Sequence, residues 1–330
     1  MQQDPTLGNG PLVVLVSDGT DLVAIHSPGA DDAFARKLVV IHDTAGARSA
    51  RPPAAADKRV AVVGAGSVGS KVAESLVRSG IRRILLVDGD VFLPGNLERH
   101  ALDWRDIGFK KVLALRRRLQ NIAPGCDVTV VDANLDWQRS PKTHSDQIDR
   151  VAACHVVVDA TGDTPTSLLL GAVASENGRS FVSAEVYEGG IGAAIGRSVP
   201  GRDPPFALGR SAYLSYCEQR NVTPPAAGPR DYEAISSEGA PVVADDAAVS
   251  AAAAHAARVA LDALDDRVGE GDPAWLLLGF RKAWLFNGHG HNILLDVGGP
   301  PPADETIDSD ALALGVRLAQ EAIDAAKVAG

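Results

Sequence analysis

The chain has 330 residues, 45% of them hydrophobic, with 32 basic and 42 acidic residues and a formal net charge of −10. That is ample apolar material for one large α/β domain or two smaller ones, and the acidic balance argues against non-specific binding to nucleic acid or anionic membranes. No apolar run reads as long enough to span a bilayer and no signal pattern opens the chain; Cys126, Cys154 and Cys217 form neither an even disulfide framework nor a C-x-x-C pair, so a reducing cytoplasmic setting is expected.

Residues 1–10 read as disordered. Leu12 to Val16 and Leu22 to Ile25 read as strands around a Ser17-Asp18-Gly19-Thr20 turn, and Lys37 to Ile41 as a short third strand. Residues 44–57 are small, charged and proline-containing, so they read as a linker. Residues 1–57 are therefore expected to form a small β-rich N-terminal appendage with its linker.

Arg59 begins a different pattern. An apolar run, Val60 to Val63, precedes Gly64, Gly66 and Gly69 and then a helical stretch. This is the order strand, tight turn, helix N-terminus. Bare backbone at Gly64 and Gly66 lets a phosphate approach the main chain, and Gly69 lets the helix pack closely. A second apolar run, Ile84 to Val87, ends at Asp88, placed to hold a ribose hydroxyl. These features suit any dinucleotide-binding fold, an NAD-dependent oxidoreductase included. Asp90, Asn96, Arg99 and Lys111 come soon after, and a nicotinamide gives them no evident task. A triphosphate does: Arg offers a planar fork and Lys a point charge to phosphate oxygens. Lys110 reads as a surface charge.

The elements continue with a basic helix from Lys111 to Asn121, carrying Arg116, Arg117 and Arg118 on a solvated face and packing through Leu113, Leu115 and Leu119. Strands are expected at Val128 to Ala133, His155 to Asp159 and Phe181 to Ala184. Asp163 is placed to cap a helix starting at Thr164-Pro165. Tyr187 to Arg197 is apolar and glycine-rich, and Arg202 to Pro241 reads as irregular. Ala244 to Leu264 is an alanine-rich helix bearing His255 and Arg258. Trp275 to Phe286 and Ile293 to Val297 read as strands joined through Asn287-Gly288-His289-Gly290-His291, a hairpin signal before a metal site. An amphipathic helix from Ser309 to Ala326 closes the chain.

The stretch from Arg59 to Lys111 resembles the adenylating domain of the ubiquitin-activating-enzyme superfamily, the ThiF/MoeB/HesA group. The resemblance rests on Gly64-Gly66-Gly69, Asp88-Gly89-Asp90, Asn96-Leu97-Glu98-Arg99 and Gly108-Phe109-Lys110-Lys111. It implies a Rossmann-like doubly wound mixed sheet with flanking helices over residues 58–330, with a crossover and cysteine-bearing loop at about 200–241. It implies ATP and Mg2+ as cofactors, with Asp88 on the ribose and Asn96, Arg99 and Lys111 on the triphosphate. The family's second acidic position falls on Gly162; Asp163, one residue later, or Asp159 would take its place near Mg2+. Many members carry a four-cysteine zinc site, for which this chain has too few cysteines.

The activity implied by the resemblance is adenylation of the C-terminal carboxylate of a ubiquitin-like protein or peptide ending in glycine. Cys217 would then accept the acyl group as a thioester for a conjugating-enzyme-like partner, helped by Arg210 or Arg220. From the residues alone, Cys217 can equally be a small buried hydrophobe beside Tyr213 and Leu214. A homodimer is implied through the alanine-rich helix, with Arg36, Arg48 or Arg51 reaching the partner's ATP. Three other readings stay open: a sulfur-carrier or peptide adenylyltransferase without a thioester, a non-catalytic scaffold subunit, and the oxidoreductase.

Overall fold

The computed structural model describes residues 12–17, 22–27, 34–38, 57–134, 141–225, 233–235, 241–269 and 271–300. The chain divides into two units, residues 1–50 and 51–330. In the first, β1 (Leu12–Ser17), β2 (Leu22–Ser27) and β3 (Phe34–Leu38) form an antiparallel sheet in that order. Both strands are apolar runs that end in serine, LVVLVS and LVAIHS, and the register pairs Val14 with Ile25 and Val16 with Val23. The third strand begins three residues before the expected Lys37. The turn at 18–21, residues 1–10, Arg48, Arg51 and the 309–326 helix lie outside the described residues.

The second unit is built on an eight-stranded sheet. Its parallel part contains β4 (Arg59–Val63), β5 (Arg83–Val87), β6 (Asp127–Val131), β7 (Val156–Asp159) and β8 (Ser180–Val186). Three antiparallel strands extend it: β9 (Gly192–Ser198), then β12 (Trp275–Gly279) and β13 (Ile293–Leu295). A separate pair, β10 (Glu233–Ile235) and β11 (Pro241–Val243), lies between them in sequence. The order across the sheet is β13-β12-β9-β8-β7-β4-β5-β6.

The central strands are apolar at nearly every position because helices cover both faces. Val60, Val62, Ile84, Leu86, Val156 and Val158 point to one face, where they meet α1 (Ser67–Arg78), α2 (Lys111–Ile122) and α6 (Asp246–Leu264). Ala61, Val63, Leu85, Val87 and Val157 point to the other, towards α4 (Thr164–Glu176) and α5 (Phe206–Gln219). A further helix, α3 (Pro141–Ala152), precedes β7. In α2, Leu115 and Leu119 are buried, but Leu113 stays 38% exposed and does not join the packed face. Three guanidinium groups in a row do not all point to solvent either: Arg117 pairs with Asp106 and Arg118 with Glu74.

Two further expectations from the sequence fail here. The 19-residue α6 is, by length and composition alone, long and apolar enough to cross a membrane. Its alanines explain that: Ala252, Ala253, Ala256 and Ala260 are all buried, and small side chains let α6 lie close on α1 and the sheet. Second, β12 stops at Gly279. A Cβ there would stand 2.6 Å from the His291 carbonyl oxygen and 2.7 Å from the Phe286 ring, so the chain leaves the sheet and returns through a longer connection. The two strands do pair antiparallel, Trp275 opposite Leu295.

Position in the sheet fixes where a ligand can bind. From β4 the chain runs to β5 and β6 on one side, then crosses to β7 and β8 on the other. The C-terminal ends of β4 and β7 therefore diverge into a crevice, the place where open α/β sheets hold ligands.

Candidate nucleotide-binding site

Beyond Val63 the chain turns through Gly64-Ala65-Gly66 into α1. The three glycines do different things. Gly64 has φ +84°, and a Cβ on it would sit 2.8 Å from the Ala160 carbonyl oxygen at the end of β7. On Gly69 a Cβ would lie 1.8 Å from the Gly64 carbonyl oxygen. These two shape the turn. Of the three, Gly66 faces open space, with nothing within 4 Å of where its side chain would be. The sequence suggested bare backbone at both Gly64 and Gly66; the room for a ligand is at Gly66. It is also the N-cap of α1, which has no side-chain cap and no acidic residue in its first turn. An uncapped helix end presents N–H groups and partial positive charge to an anion.

The four motif segments form one chain of hydrogen bonds around this turn. The Ala65 N–H donates to Asp88 Oδ2 at 2.8 Å, and the Asp90 N–H donates to Asp88 Oδ1 at 2.7 Å. Lys111, only 8% exposed, donates from Nζ to Asp90 Oδ2 at 2.9 Å, while its N–H donates to the Asp90 carbonyl at 3.0 Å. Burial raises the Asp88 carboxyl above its ordinary range, opposed by the Asp90 N–H and the Lys111 ammonium. On the other side the Ala65 carbonyl meets His100 Nε2 at 2.7 Å, and the His100 N–H donates to the Asn96 carbonyl at 3.1 Å.

Asn96 and Arg99 sit on a short 3-10 turn, Pro94–Asn96, and its continuation. Asn96 Oδ1 accepts from the Leu93 N–H at 2.9 Å, a bond that does not use its side-chain amide N–H2. Arg99 lies half-buried three residues on, its N–H on the Asn96 carbonyl at 3.3 Å. Lys110 is more than the surface charge expected of it: Nζ donates to the Gly89 carbonyl at 2.6 Å and pairs with Asp132 at 3.0 Å. Lys110 thus fastens the Asp88-Gly89-Asp90 segment beneath the site.

His100 is the residue that sequence reasoning missed. It comes directly after Arg99, so its position was visible, but nothing in the sequence placed it against Ala65. The Leu102 N–H donates to Nδ1 at 3.0 Å, so Nε2 carries the proton and donates to Ala65. Burial, with Lys111 and Lys71 nearby, pushes the imidazole down to about 4. An unfolded histidine titrates near 6.5, so the neutral ring supports the fold fully above that pH and the support is lost as pH falls towards 4. Between pH 7 and pH 4.5 wild type is therefore expected to lose roughly 2–3 kcal/mol more unfolding free energy than His100→Gln. Urea titrations at the two pH values check this; equal losses would rule out a buried neutral His100.

Across the crevice, Asp159 is 2% exposed at the end of β7. Its oxygens accept from the Thr161 N–H at 3.0 Å, the Thr161 hydroxyl at 2.7 Å and the Ser167 hydroxyl. Burial raises its pKa. Asp163 is the N-cap of α4, with Oδ2 accepting from the Thr166 N–H at 2.9 Å and the Thr166 hydroxyl at 2.6 Å. Both of these bonds fall on the same carboxylate oxygen. Among the described residues no three His, Cys, Asp or Glu side chains are grouped to hold a metal. Asp163, with one carboxylate oxygen outside the bonds given above, fits magnesium only as one of the one or two carboxylates that the ion takes alongside substrate phosphates and water. His289 and His291 form no such group; His291 Nδ1 accepts from the Asn287 N–H at 3.2 Å.

Cys217 lies elsewhere. The stretch expected to be irregular contains α5, and Cys217 sits on its buried face with Phe206, Gly209 and Tyr213, at 0% exposure. Leu214 points outward instead, 44% exposed. Burial raises the thiol pKa, opposed by nothing stronger than Tyr213 and Arg220. Arg210 is committed to Thr164 Oγ1 at 2.8 Å and Glu185 at 3.6 Å, and Arg220 lies over the Tyr216 ring. The arrangement is that of a small buried hydrophobe. Cys217→Ala is expected to destabilise the fold by about 1–2 kcal/mol, read by denaturant unfolding; a variant as stable as wild type would mean that the thiol contributes nothing to the packing of α5.

Together the switch-point crevice, the open Gly66 turn and the Asp88-to-Lys111 cluster define a mononucleotide-binding α/β domain. Residues 51–222 match the model of the ThiF family, and the chain belongs to that family. Among curated relatives, the ATP-dependent ubiquitin transferase-like protein Cap2 of Enterobacter hormaechei is 31% identical over 38% of this chain and 20% of its own. The SAMP-activating enzyme E1 of Haloferax volcanii is 31% identical over 39% and 46%. The tRNA threonylcarbamoyladenosine dehydratase of Escherichia coli is 44% identical over 23% and 29%. The match to each of these relatives spans less than half of its length. Escherichia coli MccB, solved with ATP, superimposes with a TM-score of 0.54 over 75% of this chain and 66% of that one at 16% identity, a likeness of fold.

Proposed function

We propose that the protein binds ATP with magnesium and adenylates the C-terminal carboxylate of a protein or peptide. The observation that carries this reading is the bonded network joining Ala65, Asp88, Asp90, Lys111, His100 and Asn96 around an uncapped helix end. It brings a carboxylate, a carboxamide and an ammonium together around the glycine turn, with Arg99 on the same short turn as Asn96. Relatives named for activating ubiquitin-like modifiers, and MccB solved with a bound MccA, support a protein or peptide substrate. A ubiquitin-like protein ending in glycine is the substrate we assign.

In this mechanism Asp88 holds the ribose and the α1 N–H groups receive the phosphates. A carboxylate oxygen of the substrate attacks the α-phosphorus, and the bond to the β-phosphate bridging oxygen breaks. The products are an acyl-adenylate and pyrophosphate. Arg99 and Lys111 stabilise the charge that develops on the transferring and leaving oxygens. Magnesium, held by Asp163 and the phosphates, would supply further charge neutralisation.

The burial of Cys217 favours a direct transfer of the acyl group from the adenylate to an acceptor, without a thioester on that residue. Self-association is part of the reading, and an apolar rim beside the site supports it: Leu93, Trp104, Ile107 and Phe109 are 57%, 73%, 38% and 50% exposed. The decisive assay is exchange of labelled pyrophosphate into ATP in the presence of a ubiquitin-like protein ending in glycine. Exchange that depends on that terminal carboxylate is expected; exchange equally fast with a C-terminally amidated substrate would reject the reaction.

A further inference from the structure

Among the groups near the crevice, His100 is buried, titratable and unused by the chemistry. It is 7% exposed, between the glycine turn and the start of the segment leading to α2. Two ring bonds and one backbone bond tie the residue to three places: Nε2 donates to the Ala65 carbonyl, Nδ1 accepts from the Leu102 N–H, and the His100 backbone N–H donates to the Asn96 carbonyl. Phe92 packs edge-on against the ring, with centroids 4.9 Å apart. The ring therefore has one orientation and one tautomer.

This matters because the two halves of the proposed phosphate cradle are held differently. Asp88 and Asp90 come directly after β5, and Lys111 is held to Asp90 by two bonds. Asn96 and Arg99 lie on a half-exposed turn preceded by Val91, Leu93, Pro94 and Gly95, all exposed. The bonds that tie this turn to the glycine-turn region include that of His100 and one from the Ala101 N–H to Ser70 Oγ at 3.2 Å.

We propose that His100 is a positioning residue: its imidazole fixes the spacing between the Ala65 carbonyl and the Asn96–Arg99 turn, so that both halves of the cradle meet one triphosphate. This rests on the ATP reading above. The residue touches no phosphate itself. Its effect is therefore on groups that bind the polyphosphate and not on those that bind the nucleoside.

That difference gives the test. A glutamine amide nitrogen reaches about as far as imidazole Nε2 and keeps the donor to Ala65. An asparagine oxygen replaces Nδ1 as acceptor but supplies no donor at that reach. Titration of wild type, His100→Gln and His100→Asn with Mg·ATP and with adenosine reads both halves of the site. ATP affinity is expected to fall tenfold or more in His100→Asn and to stay within about threefold in His100→Gln, with adenosine affinity unchanged within twofold in both. Equal losses of ATP and adenosine affinity in both variants, or wild-type ATP affinity in His100→Asn, would overturn the proposal while leaving the ATP reading intact. A wild type that does not bind Mg·ATP removes the reading and this proposal together. Thermal midpoints of both variants confirm that the folded protein is being compared.

Discussion

Replacement of Arg99 or Lys111 by alanine is expected to weaken ATP binding by ten- to a hundredfold and to lower pyrophosphate exchange further, by about 10²–10³. The first figure comes from the 1.5–3 kcal/mol typical of a hydrogen bond to a charged group. The second comes from the roughly 2.7–4 kcal/mol of barrier carried by one preorganised stabilising group. The two variants should differ in detail. Arg99 is half-buried on a turn and is not among the groups that set the Asp88 pKa, so its loss should leave adenosine binding nearly unchanged. Lys111 is buried and paired with Asp90, and its charge opposes the rise in the Asp88 pKa. Its removal leaves two carboxylates facing each other, and Asp88 rises further. Lys111→Ala should therefore also weaken adenosine binding, and more so as pH falls. Calorimetric titration with ATP and adenosine reads both effects. Wild-type ATP affinity in both variants would show that the cluster serves something other than a triphosphate.

The second large effect concerns the fold around the turn. Gly69→Ala is expected to destabilise the protein by more than about 4 kcal/mol, beyond the range of ordinary single substitutions. The added methyl would meet the Gly64 carbonyl oxygen at 1.8 Å, and both groups are fixed to backbone, so neither can swing aside. Either α1 or the turn must move, and each is packed: α1 through Val68, Val72 and Leu76, the turn against Ala160. Gly66→Ala is the control. It meets no protein atom, so the fold should hold within about 1 kcal/mol. The methyl would nonetheless occupy the space where the main chain is open, and ATP affinity should fall. Denaturant unfolding and ATP titration of the pair separate shaping from binding. A Gly69→Ala protein as stable as wild type would mean the turn is built differently.

Much of the central sheet is legible in the sequence itself, and so are the motif segments that the fold brings to the glycine turn. The apolar runs at Val60 to Val63, Ile84 to Val87 and His155 to Asp159 mark buried parallel strands, since strands covered on both faces need no polar alternation. The spacing of Asp88, Asn96, Arg99 and Lys111 points to phosphates because their chemistry is local and carried by residue type. The expectations that failed depend on tertiary neighbours. Whether Lys110 is free depends on Asp132 and the Gly89 carbonyl, and the role of His100 on the Ala65 carbonyl, 35 residues away. The proline-rich context of Cys217 suggests a loop, yet the aromatic groups of Phe206, Tyr213 and Trp275 stack into a core that holds α5 in place. Alanine content makes α6 look merely small, although it also makes the helix apolar enough to pass for a membrane span.

The central claim is that this crevice takes a triphosphate nucleotide in preference to a dinucleotide, and a thermal-unfolding comparison tests it most directly. A ligand present at a hundred times its dissociation constant stabilises the folded state by about 2.7 kcal/mol. For a domain of this size that is a rise of roughly 5–10 °C in midpoint. With magnesium present, ATP is expected to produce that rise in wild type and NAD to leave the midpoint unchanged. A rise with NAD and none with Mg·ATP would contradict the account.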